Sequence, residues 1–547
     1  LLERKNEKGP MTIGRRKFLL GAVATAMAAA GSQLAIGCTA PAAAPTAAPA
    51  APTTAPAAPA ATATPAPAAP AATATPAPVV MVTATPLPAQ PTATPAPLLA
   101  TPTAQPSAEA FPGPEKANID WKQFAGQEIH WIGGLHPVSE TLIKMAPEFE
   151  ALTGIKTVVE QIDWNAFSQK RQLDIATAEP LYDTYMAMFW DDWQYGSQGL
   201  LVDQNEFLND PKLTDLEWLD MQDISQGIQG SAMWDGVAGH PLGSGKRFSI
   251  PYMIETYILG YRADIFEKAG VTLDKPLRVD ETADVLAKIK AAEPNIIPMA
   301  FRGMGGSING TWMSIFPNYG ATDFDRGMNS VLNSEASVKV HDMVINGLAK
   351  PYGPPGWNNL SWDELRHKFA NGDYAMVYDC DFFSILYEDA AESKIAGKLK
   401  YQLWGGPTSQ YCCTYYFGNS IAANSKHKEA AWLFNQFVIS KKGQRDWAVK
   451  YKNLIPTRAS VWGDPELLAW VGKWGDGTWL DCVMQNVTKN AKIWMTPFAD
   501  YGSVVTAWEN KVAAIYNGAE VKTSLDELVE EVNAITDKAG VRQPDVH

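Results

Sequence analysis

The chain has 547 residues, 45 Lys/Arg against 59 Asp/Glu, and a formal net charge of −14, enough length for two or three domains with a large buried core. The charge is unevenly spread: residues 38–108 carry no charged or aromatic residue and 18 of the 39 prolines, while residues 109–547 hold all 19 tryptophans and a net −18. So acidic a body is a poor partner for a polyanion, which argues against nucleic acid, and it has no run of 18 strongly apolar residues to form a membrane bundle.

Met11 is the expected start, with residues 1–10 upstream of it. Arg15-Arg16-Lys17 followed by the Ala/Gly-rich stretch Leu19 to Ala30 has the layout of an export signal. The pair Arg15 and Arg16 before Phe18-Leu19 resembles the twin-arginine type, with an ordinary secretory signal as the other reading. Ala35-Ile36-Gly37-Cys38 resembles a lipobox, making Cys38 the expected lipid acceptor, although the usual Leu three places before the Cys is absent. Residues 38–108 then repeat Pro, Ala and Thr. Proline fixes φ and removes a donor, so neither helix nor sheet is available; an extended polyproline chain at ~3.1 Å per residue reaches roughly 200 Å. The expected architecture is therefore signal (1–37), linker (38–108) and one globular part (109–547).

The globular part alternates strands and helices. Glu128 to Gly133 reads as a short buried strand. Leu142, Met145, Phe149 and Leu152 recur at helical spacing, and Gly154 stops that helix. Ile155 to Val159 is the next strand, Tyr182 to Phe189 another. Residues 205–240 are acidic and irregular. Ser249 to Tyr261 and Tyr374 to Tyr378 are strand-like; Thr282 to Ala292 and Glu429 to Ile439 are helical, as is most of the chain from Ser503. The alternation implies an α/β class with largely parallel sheets and ligands at the C-terminal ends of strands.

Five segments in order resemble one family. They are HWIGGLHPVSETLIKMAPEFEALTGIKTVVEQ, YDTYMAMFWDDWQYGSQGLLVDQNEFL, FSIPYMIETYILGYRADIFEKAGV, FANGDYAMVYDCDFF and SIAANSKHKEAAWLFNQFVISKKGQRDWA. Together they resemble the extracellular solute-binding proteins of sugar-importing ABC transporters, the maltose-binding-like group, over roughly residues 127–535. The resemblance implies a two-lobed periplasmic-binding-protein-like fold (type II). Each lobe would be a mostly parallel sheet flanked by helices, with the ligand cleft between lobes. Lobe 1 would take about 120–255 plus 401–450, and lobe 2 about 256–400 plus the C-terminal helices to 535. The crossings are expected near 255–260 and 401–406. The implied function is an exported, lipid-anchored binding subunit that closes on a carbohydrate or related polyol and delivers it to the permease subunits. A monomer with no cofactor and no metal is expected.

Sugars have apolar C–H faces and a belt of hydroxyls, so a binding cleft needs aromatic platforms with carboxylates and amides between them. Placement selects His136 after the first strand, Trp164 after the second, and Asp191, Asp192 and Trp193 in Trp190-Asp191-Asp192-Trp193 after the third. It adds Glu255 and Tyr257 at the first crossing, Asp379, Asp381 and Phe382 after Tyr374 to Tyr378, and Tyr415 and Tyr416 near the return. Trp312, where the family places a stacking aromatic, Trp494 and Tyr501 complete the set. Most of the 19 tryptophans are expected in the core. Beyond Cys38, the cysteines Cys380, Cys412, Cys413 and Cys482 read as buried thiols, with a vicinal Cys412–Cys413 bridge as the alternative. Two other functions fit the same residue types: a glycosidase with Asp191 or Asp192 facing Asp379 or Asp381, and a binding protein for a non-sugar solute such as a polyamine. No nucleophile elbow, HExxH or P-loop is present to support an enzyme.

Overall fold

The computed structural model describes residues 111–547. Arg15, Arg16, Cys38 and the linker to residue 108 lie outside the described residues.

The first strand, β1 (Glu128–Gly134), is buried on both faces from Trp131 onward, as a strand covered by helices on either side must be. It leads into helix α1 (Pro137–Thr153), with Pro at the first helical position and His136 as N-cap, whose Nδ1 accepts from Val138 N at 3.2 Å. The apolar stripe read from the sequence is the buried one: Leu142, Met145 and Phe149 all face the core. Gly154, at φ 73°, closes the helix as the left-handed cap. The chain then lays β2 (Lys156–Ile162) parallel to β1, adds helix α2 (Trp164–Ile175), and returns as β3 (Thr184–Ala187) on the other side of β1.

Two sheets organise the rest. One has the order β2-β1-β3-β9-β4, where β4 is Pro251–Glu255 and β9 is Tyr415–Ile421. The other has the order β8-β5-β7-β6, with β5 Tyr257–Arg262, β6 Ile297–Phe301, β7 Tyr374–Cys380 and β8 Leu399–Gln402. These are the sheets of two lobes. Both are mixed, not mostly parallel: β1–β2, β1–β3 and β6–β7 are parallel, while β3–β9, β4–β9, β5–β7 and β5–β8 are antiparallel. The reason lies in the crossings. Strand β4 runs toward the junction and continues as β5, which enters the second sheet against the direction of its neighbour β7. Strand β9 enters the first sheet from the same side and opposes β3 and β4.

One residue, Thr256, separates β4 from β5, and side chains from three other segments hold this crossing. Asp381 accepts from Thr256 N at 3.1 Å and Thr256 Oγ1 at 2.6 Å. Asn486 Nδ2 donates to Thr256 Oγ1 and to Tyr257 O, both at 3.1 Å. Thr414 Oγ1 donates to Glu255 O at 2.9 Å.

The irregular acidic stretch after residue 205 forms short helices (Asn205–Leu208, Leu216–Leu219, Gln226–Ser231) and a two-residue pairing of Met233–Trp234 with Lys246–Arg247. It packs on helix Lys428–Ile439 through Trp432 Nε1 to Thr214 Oγ1 and Gln436 Nε2 to Leu213 O. Arg458, wholly buried, fastens it by donating to Leu219 O, Asp220 O and Ile439 O. Trp131, Trp193, Trp234, Trp312, Trp357, Trp432, Trp447, Trp479 and Trp508 are fully buried, so much of the tryptophan excess is core. Among the described residues no helix is long and apolar enough to cross a membrane.

Candidate functional site

The C-terminal ends of β1, β2, β3, β6 and β7 all point to the junction between the lobes, which brings together side chains far apart in sequence. From the first lobe comes His136, just after β1. Its ring lies 4.8 Å from Phe417 of the same lobe, and 5.6 Å from Phe382 and 5.9 Å from Trp362 of the other. Trp164 stands 6.4 Å from His136. A Cβ on Gly134 would fall 2.1 Å from the Trp164 ring, so the indole lies directly on bare backbone there. Tyr415 packs on Trp190 at 5.1 Å and Phe417 at 5.3 Å. The strand pleat sends Tyr415 and Phe417 to one face of β9 and Tyr416 to the other.

The second lobe supplies charge. Asp379, near the end of β7, and Arg302, just after β6, are both buried. Arg302 Nε and Nη2 approach the same carboxylate oxygen, Asp379 Oδ1, at 2.8 and 2.6 Å, and among the described residues Asp379 Oδ2 has no partner. Asn309, on a wide helical turn over Ile308–Trp312, donates from Nδ2 to Tyr257 Oη at 3.0 Å while its Oδ1 has no partner among the described residues. Glu255 Oε1, at the crossing, is a third buried oxygen here without a partner among the described residues, 4.0 Å from His136 Nε2. Arg366, on the helix Trp362–Asn371, stacks over the rings of Trp362 and Phe383 at 5.2 and 5.5 Å.

Burial decides the charges. It pushes the Glu255 carboxyl up to about 8, against the pull of nearby Arg302. Burial also takes His136 down to about 3, helped by the positive Arg366 and Arg302. Both groups are therefore uncharged at neutral pH, and their approach is not an ion pair. Asp381 rises to about 7 through burial, opposed by its hydrogen bonds from Thr256. Burial also works against the charge of Arg302, but Asp379 and Tyr257 outweigh it and keep the guanidinium ionised.

The sequence-selected residues fall into two groups. His136, Trp164, Glu255, Tyr257, Asp379, Phe382 and Tyr415 gather at the junction, and Asp381 holds the crossing beside them. The others are engaged elsewhere. Asp191 is closed by Arg171 on both oxygens at 2.6 Å. Asp192 accepts from Ser249 Oγ and, at 2.6 Å, from Tyr416 Oη. Trp193 packs inside, 6.3 Å from Trp234 and 6.0 Å from Tyr501, whose hydroxyl donates to Asp323. Trp312 is buried and stacked on His341 at 4.5 Å. Trp494 donates to Cys412 O and lies under Lys492 Nζ. Arg302, Asn309, Trp362, Arg366 and Phe417 were not selected from the sequence. Of these, Arg302 had a usable signal: it ends the apolar run Ile297–Phe301 and precedes a Gly-rich loop. Cys380, Cys412, Cys413 and Cys482 are buried free thiols. The short strand Cys412–Cys413 sends its two side chains to opposite faces, against a vicinal bridge. Among the described residues no group of three His, Cys, Asp or Glu is arranged to hold a metal.

Residues 133–445, more than half of the chain, match the bacterial extracellular solute-binding protein family. The chain belongs to this family. As a member, this solute-binding protein works outside the cytoplasm. An erythritol/L-threitol-binding protein of Mycolicibacterium smegmatis is 25% identical to it over 421 residues, covering 75% of this chain and 86% of that one. Two solved structures share its fold. An ABC transporter solute-binding protein from Agrobacterium radiobacter K84 in complex with ribitol has a TM-score of 0.64 and 23% identity, covering 75% of this chain and 99% of the other. One from Agrobacterium vitis S4 with bound D-mannitol has a TM-score of 0.65 and 20% identity, covering 76% and 100%. The two-lobed fold of this solute-binding protein is thus that of the ABC-importer binding proteins.

Proposed function

We propose that this protein is the substrate-binding subunit of an ABC importer and captures a carbohydrate or related polyol by closure of its two lobes, delivering it to the permease. The observation that carries the reading is the Asp379 carboxylate oxygen Oδ2 and the Glu255 carboxyl oxygen Oε1, both buried at the junction without a partner among the described residues, beside aromatic rings from both lobes. A buried acceptor without a partner is costly, and a ligand rich in hydroxyl donors relieves that cost. Rings such as Trp164, Phe382 and Phe417 suit the C–H faces of the same ligand. The names of the relative and the fold neighbours, which mention erythritol, ribitol and mannitol, support this class. His136, Trp164, Tyr257, Phe382 and Tyr415 are the proposed contacts with Glu255 and Asp379. The sequence around Cys38 supports a lipid anchor on the outer face of the membrane, with the Pro/Ala/Thr segment as a spacer.

Thermal unfolding with erythritol, ribitol, mannitol, maltose and spermidine tests the reading. A ligand that binds only the folded state stabilises it by about 2.7 kcal/mol at a hundred times its Kd. Polyols or sugars are expected to raise the melting temperature. A shift by spermidine alone overturns the carbohydrate reading.

A further inference from the structure

The junction between the lobes has the makings of a cation seat. Asp379 is buried there with the uncharged Glu255 carboxyl nearby, and the rings of Tyr257 and Phe383 flank the cation that Asp379 holds. Carboxylates with aromatic faces suit an ammonium through ion pairing and cation–π attraction. The chain places its own cation there instead. The Arg302 guanidinium carbon is 5.5 Å from the Tyr257 ring centre and 5.8 Å from that of Phe383, and both bonded nitrogens go to one oxygen of Asp379. A guanidinium does not lose its proton in a protein, so this charge is fixed.

That geometry sorts ligands by charge. An ammonium reaching the free Asp379 Oδ2 would stand beside a permanent positive charge in a dehydrated site, where repulsion is poorly screened. A hydroxyl reaching the same oxygen donates its hydrogen and meets no repulsion. Asn309 Oδ1 and Glu255 Oε1 offer two more acceptors to such a ligand. We infer that Arg302 is the specificity-determining residue that turns an acidic, aromatic cleft away from polyamines and toward uncharged polyols. This rests on the carbohydrate reading of the same cleft. It works by building the repulsive element against the wrong ligand into the site itself.

Calorimetric titration of the full chain with ribitol, mannitol and spermidine tests it in the unaltered protein, R302M and R302K. The unaltered protein is expected to bind a polyol and give no heat with spermidine. R302M should lose polyol affinity by at least about tenfold, the scale of one charge-assisted contact, and should gain spermidine binding. R302K keeps a positive charge and should still exclude spermidine. A folded R302M that gains no spermidine binding overturns the inference, as does an R302K that admits it; the second arm decides if R302M does not fold. Spermidine binding by the unaltered protein, with no polyol binding, overturns the carbohydrate reading instead, so the two failures are distinguishable.

Discussion

The two lobes each bury an arginine against an aspartate, and the pairs are closed to different degrees. In the first lobe Arg171 meets Asp191 with two parallel bonds, and Met188 N adds a third at 3.2 Å to the same carboxylate. In the second, Arg302 spends two nitrogens on one oxygen of Asp379, and the other oxygen has no partner among the described residues. Asp379 sits near the end of β7 and Asp191 just after β3, both strands that point at the junction, so position alone does not separate them. Saturation does for these two: Asp191 has both oxygens filled, and Asp379 has one left over for a ligand at the junction.

The comparison breaks most visibly on stability. Removing one partner of a buried pair leaves the other charge uncompensated, which costs about 3–5 kcal/mol. R171M and R302M should therefore both lower the urea midpoint strongly. An unmoved midpoint in R171M would show that the first pair is not structural. The next effect separates the lobes. D191N and D379N make the same chemical change, but only D379N turns a free acceptor into a donor. Calorimetry should show D379N losing about 1.5–3 kcal/mol of polyol binding, with the folded fraction of D191N binding as before. Equal losses would erase the distinction.

Protonation gives a smaller effect. Glu255 sits at about 8 in the folded chain against an ordinary value of 4.5. Between those values the folded form keeps the proton and the unfolded form releases it. The contribution to stability is thus fully present below pH 4.5 and is lost as pH rises toward 8. E255Q, which cannot titrate, should flatten the fall of melting temperature across that window. An unchanged profile would mean that Glu255 is ionised at the junction. The smallest effect is expected from the aromatic wall: W164A should weaken polyol binding by about 0.5–1.5 kcal/mol with little change in the urea midpoint. A loss as large as that of D379N would shift the weight of recognition from the second lobe to the first.

Much of this was legible in the sequence. Five ordered segments identified the family, and the strand ends picked out His136, Trp164, Glu255, Asp379 and Phe382, which the fold brings to the junction. What was not legible is pairing at a distance. Nothing local distinguishes Asp191 from Asp379; the difference is made by Arg171, 20 residues before one, and Arg302, 77 before the other. Trp312 and Trp193 illustrate the same limit. Each follows a plausible cleft loop, yet the space each fills is set by partners such as His341 and Trp234 that only the folded chain supplies. The expectation of mostly parallel sheets failed because alternation of strand and helix does not register a strand that leaves one sheet and enters another head-on.

The crossing at Thr256 bears on how this protein can be trimmed or spliced. The stretch shared with the family ends at 445, but Asn486, which grips Thr256 and Tyr257, and Trp479, which donates to Asp381 O, come later in the chain. The crossing between the two sheets is thus fastened in part from outside the shared stretch. A chimera joined at residue 445 would keep the Asp381 and Thr414 contacts at the crossing and lose those of Asn486 and Trp479. The sensible cut for a minimal version, or the junction for a reporter fusion, lies beyond the helix Val521–Lys538.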